Sequence, residues 1–100
     1  MSDYIQLEVG QLWSNLHEDN VYDYIIIKFS YDSYYGSYVA YSIAINKYTK
    51  AIYYNVPFCV SIDRINRINL KIDANRGIYE NFKLIKKLSD ASIKMYTVMM

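Results

Sequence analysis

The chain predicts an α+β domain: a small, strongly bent antiparallel sheet of four or five strands, or a partly open barrel, with one C-terminal helix. Three observations predict it. Apolar residues recur at every second position through residues 21–56, the period of a half-buried strand. Two polar, turn-forming stretches at 32–36 and 46–50 divide that region into three strands. Residues 77–89 place Ile78, Phe82, Ile85 and Leu88 at helical spacing. At 100 residues the chain is expected to be one domain, β-rich over 4–72, helical over 76–90 and ending in an apolar tail over 91–100.

Taken in order, residues 4–9 alternate Ile5, Leu7 and Val9 inward with Gln6 and Glu8 outward, a first short strand. Gly10 breaks the pattern and suits a bend that a β-carbon would obstruct. Leu12 and Trp13 add apolar bulk, and the polar residues 15–20 read as a loop. In the central region Val21, Ile25, Ile27 and Phe29 share one side with Val39, Tyr41, Ile43 and Ile45, and with Ile52, Tyr54 and Val56. That side is expected to be the core wall. The opposite side sets large residues against small ones: centring the first turn on Tyr34 puts Tyr24 against Ala44, Ile26 against Ser42 and Lys28 against Ala40. The row Ala40, Ser42, Ala44 is then a trough, either a bed for the helix or a binding surface. An even-length second loop keeps Ile45 with Ile52 and Ile43 with Tyr54 on one face, and Pro57 is expected to end the third strand. A turn at 61–65 and a strand to Ile72 precede the helix. Lysines in the C-terminal half of that helix suit its dipole.

The opening Leu7, Val9, Gly10 and Trp13, followed by a polar loop, a hairpin and Ser61-Ile62-Asp63-Arg64-Ile65, resembles the small SH3-like barrels of phage proteins over the first two thirds of the chain. The resemblance implies a bend at Gly10 and Trp13 packed on the barrel rim. Such barrels bind proteins, nucleic acids or ligands, so the likeness by itself selects no partner.

Charge is divided along the chain. Residues 1–50 hold six acids against three lysines, a balance of −3, and residues 51–100 hold eight bases against four acids, a balance of +4. Apolar runs fall far short of the ~20 residues of a membrane span. Residues 1–20 carry no lysine or arginine, so no secretory signal is expected. One cysteine, Cys59, excludes an internal disulfide framework and suits a cytoplasmic protein. Tyrosine, isoleucine, asparagine and lysine supply 43 of the 100 residues, the bias of A/T-rich coding and of a phage or other mobile element.

Candidate chemistry is sparse. His17, Glu18, Asp19 and Asp23 have metal-ligand side chains without repeated spacing, so no metal and no cofactor are expected. Cys59 lies between Phe58 and Val60, the setting of an inert core thiol rather than a nucleophile for His17. No catalytic residues are assigned and no enzyme is expected. The tyrosines say more: Tyr31, Tyr34, Tyr35, Tyr38 and Tyr48 lie in or beside turns, where no interior hides them all, and tyrosine is a preferred contact residue. The expected function is a non-enzymatic protein-binding module of viral or mobile-element origin. It would inhibit a host protein by steric occlusion in the host cytoplasm, as anti-CRISPR proteins do. Tyr34, Tyr35 and Tyr38 are its anchors, Tyr31 belongs to the same partner-binding surface, and Asp19, Asp23 and Asp32 steer it toward a basic groove. One alternative is a nucleic-acid-binding barrel using Arg64, Arg67, Lys83, Lys86 and Lys87. The other is a virion or homo-oligomeric subunit joined through the apolar tail.

Overall fold

A computed structural model describes residues 4–17, 20–60, 71–73 and 82–97. Their elements run β1 (Tyr4–Gln6), β2 (Gln11–Asn15), β3 (Tyr22–Asp32), β4 (Ser37–Asn46), β5 (Ile52–Val60), β6 (Lys71–Asp73), β7 (Phe82–Lys87) and α1 (Asp90–Thr97). The main sheet is antiparallel and five-stranded, in the order β5-β4-β3-β2-β7, and β1 pairs with β6 in a separate ribbon. The fold is α+β, an open curled sheet with one C-terminal helix.

The sheet is rolled almost onto itself. Phe58 on β5 and Phe82 on β7 lie at opposite edges of five strands, yet their ring centroids are 5.2 Å apart. Four strand spacings in a flat sheet would separate them by roughly 19 Å. Bulges accomplish the curl. The register shifts between Ile26 and Lys28 where β3 meets β4, between Ala40 and Tyr41 and between Ser42 and Ala44 where β4 meets β5, and between Leu12 and Trp13 where β2 meets β7. Asn55, in the left-handed region at φ 55°, lies within one of the β5 shifts, and Ser42 Oγ donates to the carbonyl of neighbouring Val56 at 3.0 Å.

The concave face holds Trp13, Ile26, Ala40, Phe58 and Cys59 with Leu7, and Ile5, Tyr24, Phe29, Tyr38, Phe82 and Leu84 pack against them. This reverses the expected sidedness, because the large-against-small face is the interior. Small side chains on β4 let the sheet close around Trp13, whose exposure is 0%, so it is the centre of the core and not a rim residue. Ile25, Ile43 and Val39 on the other face are buried as well. The central strands are therefore apolar on both sides, which alternation alone cannot assign to one core.

Gly10 makes the expected bend. At φ +97° it donates to the Ile26 carbonyl at 2.8 Å and accepts from Leu88 N–H at 2.8 Å, linking β3 to the end of β7. The polar hub of this corner is Gln11, 3% exposed. Its Oε1 accepts from Trp13 Nε1 and Glu8 N, both at 3.1 Å, and its Nε2 donates to the Gln6 carbonyl at 3.0 Å.

Four expectations are corrected. Phe82–Lys87, placed in a helix over 76–90, is strand β7; Phe82 and Leu84 face the core, and the register shift near Ile85 hides the alternation. The helix is α1, inside the expected tail, where Ser89 Oγ accepts the Ser92 N–H at 3.2 Å as an N-cap and Asp90 sits in the first turn. Residues 15–20 begin later as a loop than expected, because Gln11–Asn15 is a strand. Pro57 lies inside β5 rather than at its end, on the edge strand of the sheet, where a missing N–H is tolerated. The turn expected at 61–65 and residues 76–81 of the expected helix lie outside the described residues.

Candidate functional site

Both hairpin loops are built alike. In the first, Asp32 pairs with Ser37, leaving four loop residues, and Gly36 at φ +64° donates its N–H to the Asp32 carbonyl at 2.8 Å. Asp32 Oδ1 accepts the Tyr34 N–H at 2.8 Å, an Asx turn that holds the loop from within. In the second, Asn46 Oδ1 accepts from Tyr48 and Thr49 at 2.9 and 3.0 Å, and left-handed Lys50 occupies the position equivalent to Gly36. The Ile45–Ile52 pairing follows from this even-length loop, as expected.

Asp32 is tied on a second side. Its Oδ2 accepts the hydroxyl of Tyr41 across the hairpin, and Lys28 Nζ lies 5.4 Å from the centroid of the Tyr41 ring. Hydrogen bonds from Tyr41 and from the Tyr34 backbone hold the Asp32 carboxyl below its ordinary value of 3.8. The same bond to Asp32, with some desolvation, raises the Tyr41 phenol above 10.0.

Around this anchored loop stand the tyrosines. Tyr34 is 88% exposed, Tyr31 57% and Tyr35 41%. Tyr34 and Tyr35 form an edge-on pair with centroids 5.1 Å apart, and Tyr31 and Tyr38, opposite each other on β3 and β4, form another at 5.5 Å. The tip is thus a fixed aromatic surface with one carboxylate at its base. Tyr38 differs from the others, being half-buried against the core.

Of the expected site, Tyr31, Asp32, Tyr34, Tyr35 and Tyr38 come together, but Asp23 does not. It lies nine residues along β3 from Asp32, roughly 30 Å at strand rise, with its carboxylate 3.8 Å from the Lys47 ammonium. Asp19 lies outside the described residues, as does Glu18 of the acidic loop, and among the described residues no group of three His, Cys, Asp or Glu side chains gathers. Cys59 is buried beside the core aromatics while His17 is exposed.

The basic set is also divided. The shift on β7 puts Lys83 opposite Ser14 and Lys86 opposite Leu12, on the convex face, whereas Lys87 aligns with Gln11 and lies 3.6 Å from Glu8. Arg64 and Arg67 lie outside the described residues. In the tail, Met95 is 76% exposed on α1. Among the described residues no helix is long and apolar enough to cross a membrane.

Sequence reasoning foresaw one further recess only in outline. The trough survives at Ala44, where an open pocket of about 250 Å³ is lined by Tyr22, Tyr24, Tyr53 and Val56; Ala40 and Ser42, at 0% exposure, belong to the packed interior. Compared with known proteins, the chain matches no family model, no curated protein and no solved structure.

Proposed function

We propose that the protein is a non-enzymatic interaction module that docks on another protein through the β3–β4 tip and acts by covering part of that partner's surface. The observation that carries this reading is the exposure of Tyr31, Tyr34 and Tyr35 on a loop already fixed by Asp32 and Gly36. Exposed rings on a mobile loop would lose much of their contact energy to ordering. On a preorganised turn that cost is largely met before binding, and tyrosine has few torsions left to freeze. The Asp32 carboxylate at the base favours a partner with basic groups around an apolar depression. The A/T-type composition supports a viral or mobile-element chain with a host protein as target, an anti-defence inhibitor being the form of occlusion that suits a module this small.

The test is affinity capture from host lysate with the wild type and with a Tyr31→Ala/Tyr34→Ala/Tyr35→Ala variant. Circular dichroism should show both to be folded. A partner retained by the wild type and lost by the variant, with an activity that the wild type alone suppresses, is the expected result. Equal recovery of every partner by the two proteins rejects the reading.

A further inference from the structure

At the far end of β3 and β4 from the tip, the pocket over Ala44 has a construction of its own. Ala44 is the register partner of Tyr24 on β3 and of Tyr53 on β5, so two tyrosines stand either side of a single methyl group. Tyr22 closes a third side, its ring centroid 6.4 Å from that of Tyr24 and 5.9 Å from that of Tyr53. Val56 completes the lining, which among the described residues contains no charged side chain.

We infer that this three-tyrosine recess is a binding site for a trimethylammonium group, as found in choline or on a trimethylated lysine. The argument rests on spacing and charge. Side chains two strands apart rise from points roughly 10 Å apart, so a cation midway between the Tyr24 and Tyr53 rings lies about 5 Å from each, within the ~6 Å reach of cation–π attraction. A flat aromatic guest needs faces about 7 Å apart to touch both, and would stack on one only. A primary ammonium requires hydrogen-bond acceptors to replace its water, and among the described residues the lining provides no carboxylate. A methylated cation, weakly hydrated and unable to donate, needs only the ring faces and the apolar floor that Ala44 and Val56 supply. Tyr53 is 52% exposed, so the mouth is open to a guest from solvent.

The test is an NMR titration of the full chain with choline, with Nα-acetyl-trimethyl-lysine amide, and with 3,3-dimethylbutan-1-ol, the uncharged isostere of choline. Saturable shifts at the amides of Tyr22, Tyr24, Ala44 and Tyr53 are expected with both cations, with about tenfold weaker binding of the alcohol. Tighter binding of the lysine derivative assigns the site to a modified protein side chain, and tighter binding of choline to a free small molecule. Tyr53→Phe keeps the ring and should bind as the wild type does, while Tyr53→Leu should lose several-fold in affinity. Binding of the alcohol as tight as that of choline, unchanged binding by Tyr53→Leu, or no saturable shift with either cation overturns the inference. Because the tip is remote, loss of this site leaves the tyrosine-tip reading untouched.

Discussion

The carboxylate of Asp32 accepts the phenolic hydrogen of Tyr41, nine residues away in sequence and across the β3–β4 hairpin. One side chain thereby fixes both the strand pair, through Tyr41, and the loop, through the Tyr34 amide.

The stability of the tip should therefore depend on pH at both extremes. Asp32 has a folded value below 3.8, so its contribution is present above that pH and is lost as pH falls through the lowered value. Tyr41 has a folded value above 10.0, so its contribution is complete below 10.0 and is lost as pH rises through the raised value. Protection factors for amide exchange at Tyr34 and Gly36, taken relative to the intrinsic rate at each pH, should be highest between these limits. In a carboxyl NMR titration, Tyr41→Phe should move Asp32 back up toward 3.8. An unchanged titration would show that the hydroxyl does not reach the carboxylate in solution.

The two described glycines with positive φ should differ in what an added methyl costs. At Gly36 no atom of the described residues lies within 4 Å of the position a β-carbon would take, so Gly36→Ala should bear only the left-handed penalty, about 1 kcal/mol. At Gly10 the same atom would meet the Leu88 carbonyl and Ile93 Cδ1, each at 3.1 Å, so Gly10→Ala should cost at least about 2 kcal/mol. Urea unfolding of the two variants checks the order.

Replacing the Gln11 hub should cost more than its small size suggests. Gln11→Leu leaves the indole N–H of Trp13, the Glu8 N–H and the Gln6 carbonyl without their partner, and a loss of about 3 kcal/mol is expected. Trp13 fluorescence provides a second readout, since its buried N–H would lose its acceptor. A loss below about 0.5 kcal/mol would place those bonds outside the stable fold.

The ring contact between the two sheet edges should hold the curl. Phe58→Ala removes a buried ring that touches Trp13, Tyr24 and Phe82, and about 3 kcal/mol of stability should go with it. Hydrogen exchange should rise most along β5 and β7, because these edges meet through side chains and not through a ladder. Uniform acceleration across all strands would show that the edges do not separate independently.

Much of the tip was legible from local chemistry. Asp32, Gly36 and Asn46 are turn residues with short-range mechanisms, and centring the first turn on Tyr34 matches the observed pairings Tyr24–Ala44 and Ile26–Ser42 beyond the bulge. Between the loop and the bulge that centring is one residue out, so Lys28 meets Tyr41 and not Ala40: the loop spans four residues, and the extra residue at Ile27 takes up the difference further along the strand. The same bulge turns Phe29 into the core. The Ser89-Asp90 start of α1 was a readable cap signal, masked by the stronger helical spacing of Phe82, Ile85 and Leu88.

By itself the sequence determined the antiparallel hairpins, the places of their two turns, the even length of the second loop and the exposure of the tip tyrosines, since these depend on residues a few positions apart. Only the tertiary structure decided which face is the interior, that β7 is a strand and that Tyr22, Tyr24 and Tyr53 surround Ala44. Those outcomes depend on how far the sheet rolls, and the roll is set by bulges and by the meeting of Phe58 with Phe82, contacts between segments whose separation no periodic pattern records.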